Sequence, residues 1–235
     1  FVMQGGQGTN ARYLLADCGP FGYQRDTTHG HADALAFELF ADGQSWLVDL
    51  GVYSTHLGWN WRHFFRGTAA HNTVVVDGQD QSLLLDGRRV YQPAQATLHE
   101  WYSSAVLYFF DGSHDGYHLL PTPVHHRRQI VFVKPDYWVV LDRLTGEGEH
   151  CLDLYFHLMS DLRTALDSGS GQLHAANAAG ARLQILPLEP DGWQAETITG
   201  AMEPIQGWVS RYSGEKRPAP TLRYRRQAAL PVTFC

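Results

Sequence analysis

The sequence predicts an all-β fold, a large antiparallel β-sandwich forming a single domain over residues 1–235. Three observations carry that expectation. Apolar segments of roughly five to nine residues, rich in Val, Leu, Phe and Tyr, recur along the chain. Gly, Pro and Asp punctuate them at even spacing. No stretch of three helical turns carries an amphipathic 3.6-residue pattern. Many short strands separated by turn chemistry build a sandwich or a barrel.

Residues 1–10 are Gly-rich and polar and read as a linker. Tyr13-Leu14-Leu15-Ala16 is a short strand, followed by a loop from Cys18 to Thr28. Strands over Ala34–Ala41 and Ser45–Leu50 flank Asp42-Gly43-Gln44, an Asp-Gly hairpin signal. If the first extends backward, strand alternation puts His29, His31, Asp33, Leu35 and Phe37 on one face. Gly51 to Ala70 reads as a long irregular loop holding Tyr53, His56, Trp59, Trp61, Arg62, His63 and Arg66. Loops of that length in compact domains are commonly functional. His71 to Val76 is a β-branched strand closed by Asp77-Gly78. Further strands fall at Ala105–Phe110, Gln129–Lys134, Tyr137–Leu144, Cys151–Met159, Ala181–Pro187 and Trp193–Thr199. Cys151–Met159 alternates Leu152, Leu154, Phe156 and Leu158 against Asp153, Tyr155 and His157, the pattern of a half-buried strand.

Composition narrows the function. Hydrophobic residues make up 44% and charged residues 18%, ample for a packed core and incompatible with a disordered chain. No apolar run approaches a bilayer span, so no membrane span is expected. A formal charge of −6 argues against nucleic acid as a partner, while local basic residues could still hold an anionic polymer. Cys18, Cys151 and Cys235 are odd in number and far apart, and form neither a metal-ligand pair nor a disulfide framework. Phe1 is not a natural start, so the chain reads as a piece of something longer, and a missing signal peptide is uninformative.

The chemistry concentrates in Thr28-His29-Gly30-His31-Ala32-Asp33, Val48-Asp49 and Ala70-His71-Asn72. Imidazole and carboxylate are ligands for a borderline metal such as zinc, and imidazole also shuttles protons near neutral pH. A His-x-His pair on a strand would have β-carbons roughly 6–7 Å apart, so both could hold one metal, or one could bind it while the other faces substrate. Asp49 reads either as a ligand or as a turn-capping acid before Gly51, and His71 either as a ligand or as a hydrogen-bonded core histidine. A cupin also carries His-x-His, but its glutamate should follow after three or four residues. Here six residues intervene before Glu38, which lies on the opposite strand face.

Together, His29-Gly30-His31-Ala32-Asp33-Ala34-Leu35-Ala36-Phe37-Glu38, Val48-Asp49-Leu50-Gly51-Val52-Tyr53 and Arg62 through Val74 resemble the heparinase II/III-like family. Gln79-Asp80-Gln81-Ser82, His126-Arg127-Arg128, Lys134 to Trp138, Phe156-His157-Leu158 and Gly207-Trp208 extend the resemblance over nearly the whole chain. It implies the C-terminal β-sandwich of a bacterial, periplasmic or secreted polysaccharide lyase that cleaves heparin-like or alginate-like uronate glycans by β-elimination. It implies zinc, one structural ion, on His31, Asp49 and His71, with Asp33 as a structural acid. It further implies a catalytic His29 facing the cleft, with Tyr53, Arg62 and Arg66 along the substrate wall. The family's catalytic tyrosine sits in an N-terminal α/α toroid that this chain lacks, so the toroid is an expected partner and the isolated domain is expected to be inactive. The competing expectation is a non-catalytic carbohydrate-binding or interface module with structural histidines.

Overall fold

The computed structural model describes residues 1–22, 27–54, 58–85 and 89–235. The chain opens with an antiparallel meander of β1 (Val2–Gly5), β2 (Arg12–Ala16), β3 (Phe37–Ala41) and β4 (Gln44–Leu47). β3 and β4 turn at Asp42-Gly43, with φ of 54° and 81°, the backbone that a two-residue hairpin needs to match strand twist. Helix α1 (Trp59–Arg66) and β5 (Val74–Val76) follow, then an outlying hairpin of β6 (Leu83–Leu85) and β7 (Arg89–Tyr91).

A second meander of β8 (Ala96–Ser103), β9 (Leu107–Tyr117), β10 (Val124–Val133) and β11 (Tyr137–Gly146) makes the longest strands. Beyond it come β12 (Glu149–His157) and a three-stranded sheet of β13 (Arg163–Leu166), β14 (Leu173–Ala176) and β15 (Arg182–Ile185). β16 (Gln194–Ile198) leads to two short pairs, β17 (Ala201–Met202) with β18 (Ile205–Gln206) and β19 (Trp208–Val209) with β20 (Arg217–Pro218). The chain closes with β21 (Thr221–Ala229) and β22 (Val232–Phe234). The two larger late sheets run β22-β11-β10-β9-β8 and β16-β21-β12-β5, and every strand pair described is antiparallel.

One continuous core joins the sheets. Phe37 on β3 meets Phe156 on β12 edge-on at 6.1 Å, and Phe1 reaches Phe110 on β9 at 5.6 Å. Phe110, Ile130 and Phe132 are fully buried, each contributing about 1.5–3 kcal/mol by leaving water.

The all-β fold agrees with the sequence expectation, and four local readings change. Residues 1–10, read as a linker, carry β1, which pairs with β2 and buries Met3 completely. The strand holding Phe37 does not reach back to the histidines. Leu35 sits at φ 61°, a conformation an L-residue adopts only under constraint, and it breaks the extended run before Phe37. His29 therefore lies in a 3-10 turn (Thr27–His29), and His31 in the irregular segment after it. The long loop after Gly51 contains α1, which the sequence hides because eight residues make little more than two turns and Gly58 offers no side-chain cap. β12 is buried on both faces: Asp153, Tyr155 and His157, expected outside, are 2%, 6% and 0% exposed. Arg225 explains part of this by clamping Asp153 with two hydrogen bonds of 2.7 Å from the neighbouring β21. His56 lies outside the described residues.

Candidate metal centre and cleft

His31, Asp49 and His71 come together from three segments distant in sequence. Asp49 follows β4, which the Asp-Gly hairpin returns beside β3. His71 follows a 3-10 turn (Thr68–Ala70) and precedes β5. His31 arrives on the turn after Gly30, and that turn needs its glycine, because a Cβ there would stand 2.2 Å from the Phe21 ring. One ligand atom from each of the three residues lies within 4.8 Å of the others. The His31 and His71 rings are 5.3 Å apart.

The electrostatics of the trio are uneven. His71 is fully buried, and its Nδ1 lies 2.6 Å from Asp49 Oδ2. Burial pulls the His71 pKa down, but the charge and hydrogen bond of Asp49 outweigh it and lift the value to about 9. Burial likewise pushes Asp49 up, while His71 and the Gly51 N–H, which donates to Oδ1 at 2.8 Å, bring it down to about 2. His31 is driven to about 4, by burial and then by the neighbouring His71. It is thus a neutral imidazole at pH 7, the form a metal takes. The Asp49 side chain keeps 36% exposure, so the trio opens to solvent on one side. Burial raises Asp33 to about 6, and it stays outside the trio.

The donor set fits a metal. Two imidazoles and a carboxylate form a zinc-type ligand set with room for a fourth group. Among the described residues His71 Nε2 is buried with no hydrogen-bond partner, a condition that otherwise costs about 1–3 kcal/mol.

Around the trio stands a polar frame. Asn72 donates to the Phe37 and Val48 carbonyls at 2.7 and 3.1 Å and accepts from the His157 N–H at 2.6 Å, tying β3, β4 and β12 together beside His71. Gln81 donates to the Ala32 carbonyl at 2.9 Å. Arg128 reaches across from β10 to the carbonyls of Leu35 and Asn72 at 2.8 and 2.7 Å. Sequence reasoning missed this frame. A signal was present: His126 and Arg128 share the alternate positions of Val124, Ile130 and Phe132, and all five are buried.

The other predicted residues fall as follows. His29 is exposed at the end of its 3-10 turn, apart from the trio. Arg62 and Arg66 are 3% and 1% exposed. Arg62 donates to the Thr28 carbonyl at 2.8 Å, and Arg66 to those of Gly30 and Thr27 at 2.9 and 3.2 Å. Two turns of α1 thus hold the segment that carries both histidines. Tyr53 sits at φ 58° against Trp61 and Phe65, at ring separations of 5.9 and 6.1 Å. A cavity of about 850 Å³ between Phe37, Trp46, Phe156 and Tyr224 is lined by none of the trio. Among the described residues no helix is long and apolar enough to cross a membrane.

Comparisons with known proteins bear on the fold and the family. The chain is 23% identical over 194 residues to a heparin-sulfate lyase of Pedobacter heparinus, covering 81% of this chain and 27% of that protein. It is 27% identical over 154 residues to a heparin-sulfate lyase of Bacteroides thetaiotaomicron, covering 63% and 20%. Among solved structures, a heparan sulfate lyase from Pedobacter heparinus superposes with a TM-score of 0.81 at 22% identity, over 99% of this chain and 33% of the other. A heparinase III superposes at 0.80 and 17% identity, over 99% and 34%. The chain therefore spans about a quarter of its curated relatives and a third of the solved chains. The family described as heparinase II/III-like, C-terminal, matches residues 1–231, and the chain belongs to it.

Proposed function

We propose that this chain is the C-terminal β-sandwich domain of a polysaccharide lyase acting on uronate-containing glycans, heparan-like or alginate-like, by β-elimination. The single observation that carries the reading is the family match over residues 1–231, with heparin-sulfate lyases among the relatives. The His31, Asp49 and His71 trio supports a resident zinc ion. When bound, the metal supplies a fixed positive charge and a cross-link between three segments.

β-Elimination beside a carboxylate needs a base for the C5 proton, an acid for the leaving O4 and neutralisation of the uronate charge. His29, exposed on a turn held by Arg62 and Arg66, suits proton transfer or charge neutralisation. Arg62 and Arg66 add positive charge behind that turn, and Tyr53 lines the wall leading from Asp49. The rest of the acid–base machinery lies on a partner domain of the same protein, an α/α toroid, so the isolated chain binds metal without turning over.

The test is the full-length gene product incubated with heparan sulfate, heparin, hyaluronan and alginate, followed by the ultraviolet absorbance of unsaturated uronate. Absorbance rising on one of them is expected. No absorbance on any would overturn the reading, as would purified chain with zinc far below one equivalent for the metal.

A further inference from the structure

The ammonium group of Lys216 is held among three aromatic rings. Its Nζ lies 4.3 Å from the Trp61 ring centre, 4.4 Å from Tyr53 and 5.9 Å from Trp208. Trp208 meets Trp61 edge-on at 5.2 Å, so the rings form a continuous wall. The walls come from the loop after Asp49, from α1 and from β19, and backbone contacts lock them together. Gly214 N–H donates to the Tyr53 carbonyl at 2.6 Å and Ser210 N–H to Leu50 at 2.8 Å. Gly51 permits the approach, since a Cβ there would stand 2.1 Å from the Ser210 carbonyl oxygen. Trp208 Nε1–H is anchored on the Ala201 carbonyl at 2.9 Å.

Among the described residues no carboxylate reaches Lys216, and adjacent Glu215 is turned to Arg217 at 3.8 Å. Aromatic faces attract an ammonium through their quadrupoles but leave its formal charge unneutralised. A lysine ordinarily loses considerable rotamer entropy when it grips an anion, and here the rings have already restricted it. Lys216 is also half-buried, so an anion meeting it is partly shielded from water.

Helix α1 contributes both to the cage and to the turn bearing His29. On α1, Trp61 and Phe65 face the cage, while Arg62 and Arg66, one position on, hold the turn bearing His29. Trp59, at the start of the same helix, is 58% exposed.

We propose that Lys216, ordered by Tyr53, Trp61 and Trp208, is an anion subsite that binds a sulfate or carboxylate group of an acidic glycan and thereby sets which glycan is preferred. This rests on the lyase reading above. It assigns Lys216 to recognition, with no part in proton transfer.

The test pairs Lys216→Met with Lys216→Arg in the full-length gene product, on heparan sulfate, its unsulfated precursor polymer and alginate. Lys216→Met is expected to raise KM about tenfold with kcat and melting temperature unchanged, and Lys216→Arg to restore KM. A KM effect confined to heparan sulfate assigns the subsite to sulfate. An effect on all three assigns it to carboxylate. Unchanged KM on every glycan, or a loss that tracks melting temperature in both variants, would overturn the proposal while leaving lyase activity standing. Calorimetry of the 235-residue chain with a heparan sulfate hexasaccharide separates the two ideas. Binding weakened by Lys216→Met, together with no elimination by the full-length gene product on any of the glycans, would keep the subsite and sink the lyase reading.

Discussion

Two clusters of histidine and carboxylate lie a short way apart in this molecule, and only one has chemistry left to offer. In the five-stranded sheet, Gly116 N–H donates to His114 Nδ1 at 3.0 Å, so His114 carries its proton on Nε2 and passes it toward His126 Nδ1, also at 3.0 Å. His126 Nε2–H then donates to Asp142 at 2.7 Å, and the Arg128 guanidinium grips both oxygens of Asp142 at 2.8 and 2.9 Å. Every ring nitrogen and both carboxylate oxygens have partners. Burial holds both histidines below their ordinary pKa, hence neutral, while Arg128 keeps Asp142 ionised. In the other cluster His71 Nε2 has no partner, and Asp49 remains a third open to solvent. Residue type is the same in both. Saturation of the hydrogen-bonding valences separates a structural knot from a candidate metal site, and Arg128 links them by bonding the carbonyl of Asn72, beside His71.

The contrast can be broken most forcefully at Arg128. Arg128→Met leaves Asp142 buried with an uncompensated charge and should cost about 3–5 kcal/mol in urea unfolding. A loss below about 1 kcal/mol would mean the closed cluster is not the knot drawn above.

At the open cluster the effect depends on metal. Zinc at a hundredfold excess over its dissociation constant should stabilise the chain by about 2.7 kcal/mol, and His71→Ala or Asp49→Ala should abolish the gain along with the bound zinc. Melting curves with zinc and with chelator decide this, and identical curves for the parent chain would remove the metal.

Acid sharpens the comparison further. A histidine kept neutral by burial contributes stability above its unfolded pKa of about 6.5, and the contribution is lost as pH falls, because the unfolded chain takes up a proton that the folded one refuses. His114→Gln should therefore make the acid limb of the chelated protein shallower, by about 1.4 kcal/mol per pH unit at most. Urea midpoints at pH 7, 6 and 5 read the slope, and an unchanged slope would place a proton on His114 in the fold.

The smallest effect belongs to His29. Because it is exposed and outside both clusters, His29→Ala should shift stability by less than about 0.5 kcal/mol and leave zinc content intact. Activity of the full-length gene product should nonetheless fall. Full activity would end its place in the cleft.

Much of this was legible in advance. The Asp42-Gly43 hairpin, the strands β2 to β5, β9 to β12, β15 and β16, and the three segments holding His31, Asp49 and His71 are visible because turn chemistry, alternation and residue type are local properties. The extension of β3 back to His29 failed because one left-handed residue, Leu35, ends an extended run that alternation alone would continue. Helix α1 escaped because its length and its glycine cap give no helical signature. Arg62 and Arg66, read as substrate-wall residues, bond the backbone of the histidine turn, a contact no spacing rule reveals.

The sequence by itself determined the all-β class, the hairpins and the three segments that carry the candidate ligands His31, Asp49 and His71, since each is read from neighbours within a few residues. Tertiary structure alone decided which imidazole nitrogen is left without a partner, which arginines are tied to backbone and where Lys216 rests. Those outcomes depend on contacts between residues far apart in sequence, such as Arg128 with Leu35, 93 positions away. Whether a buried polar group is satisfied is settled only when distant strands pack, because only then is water removed from it.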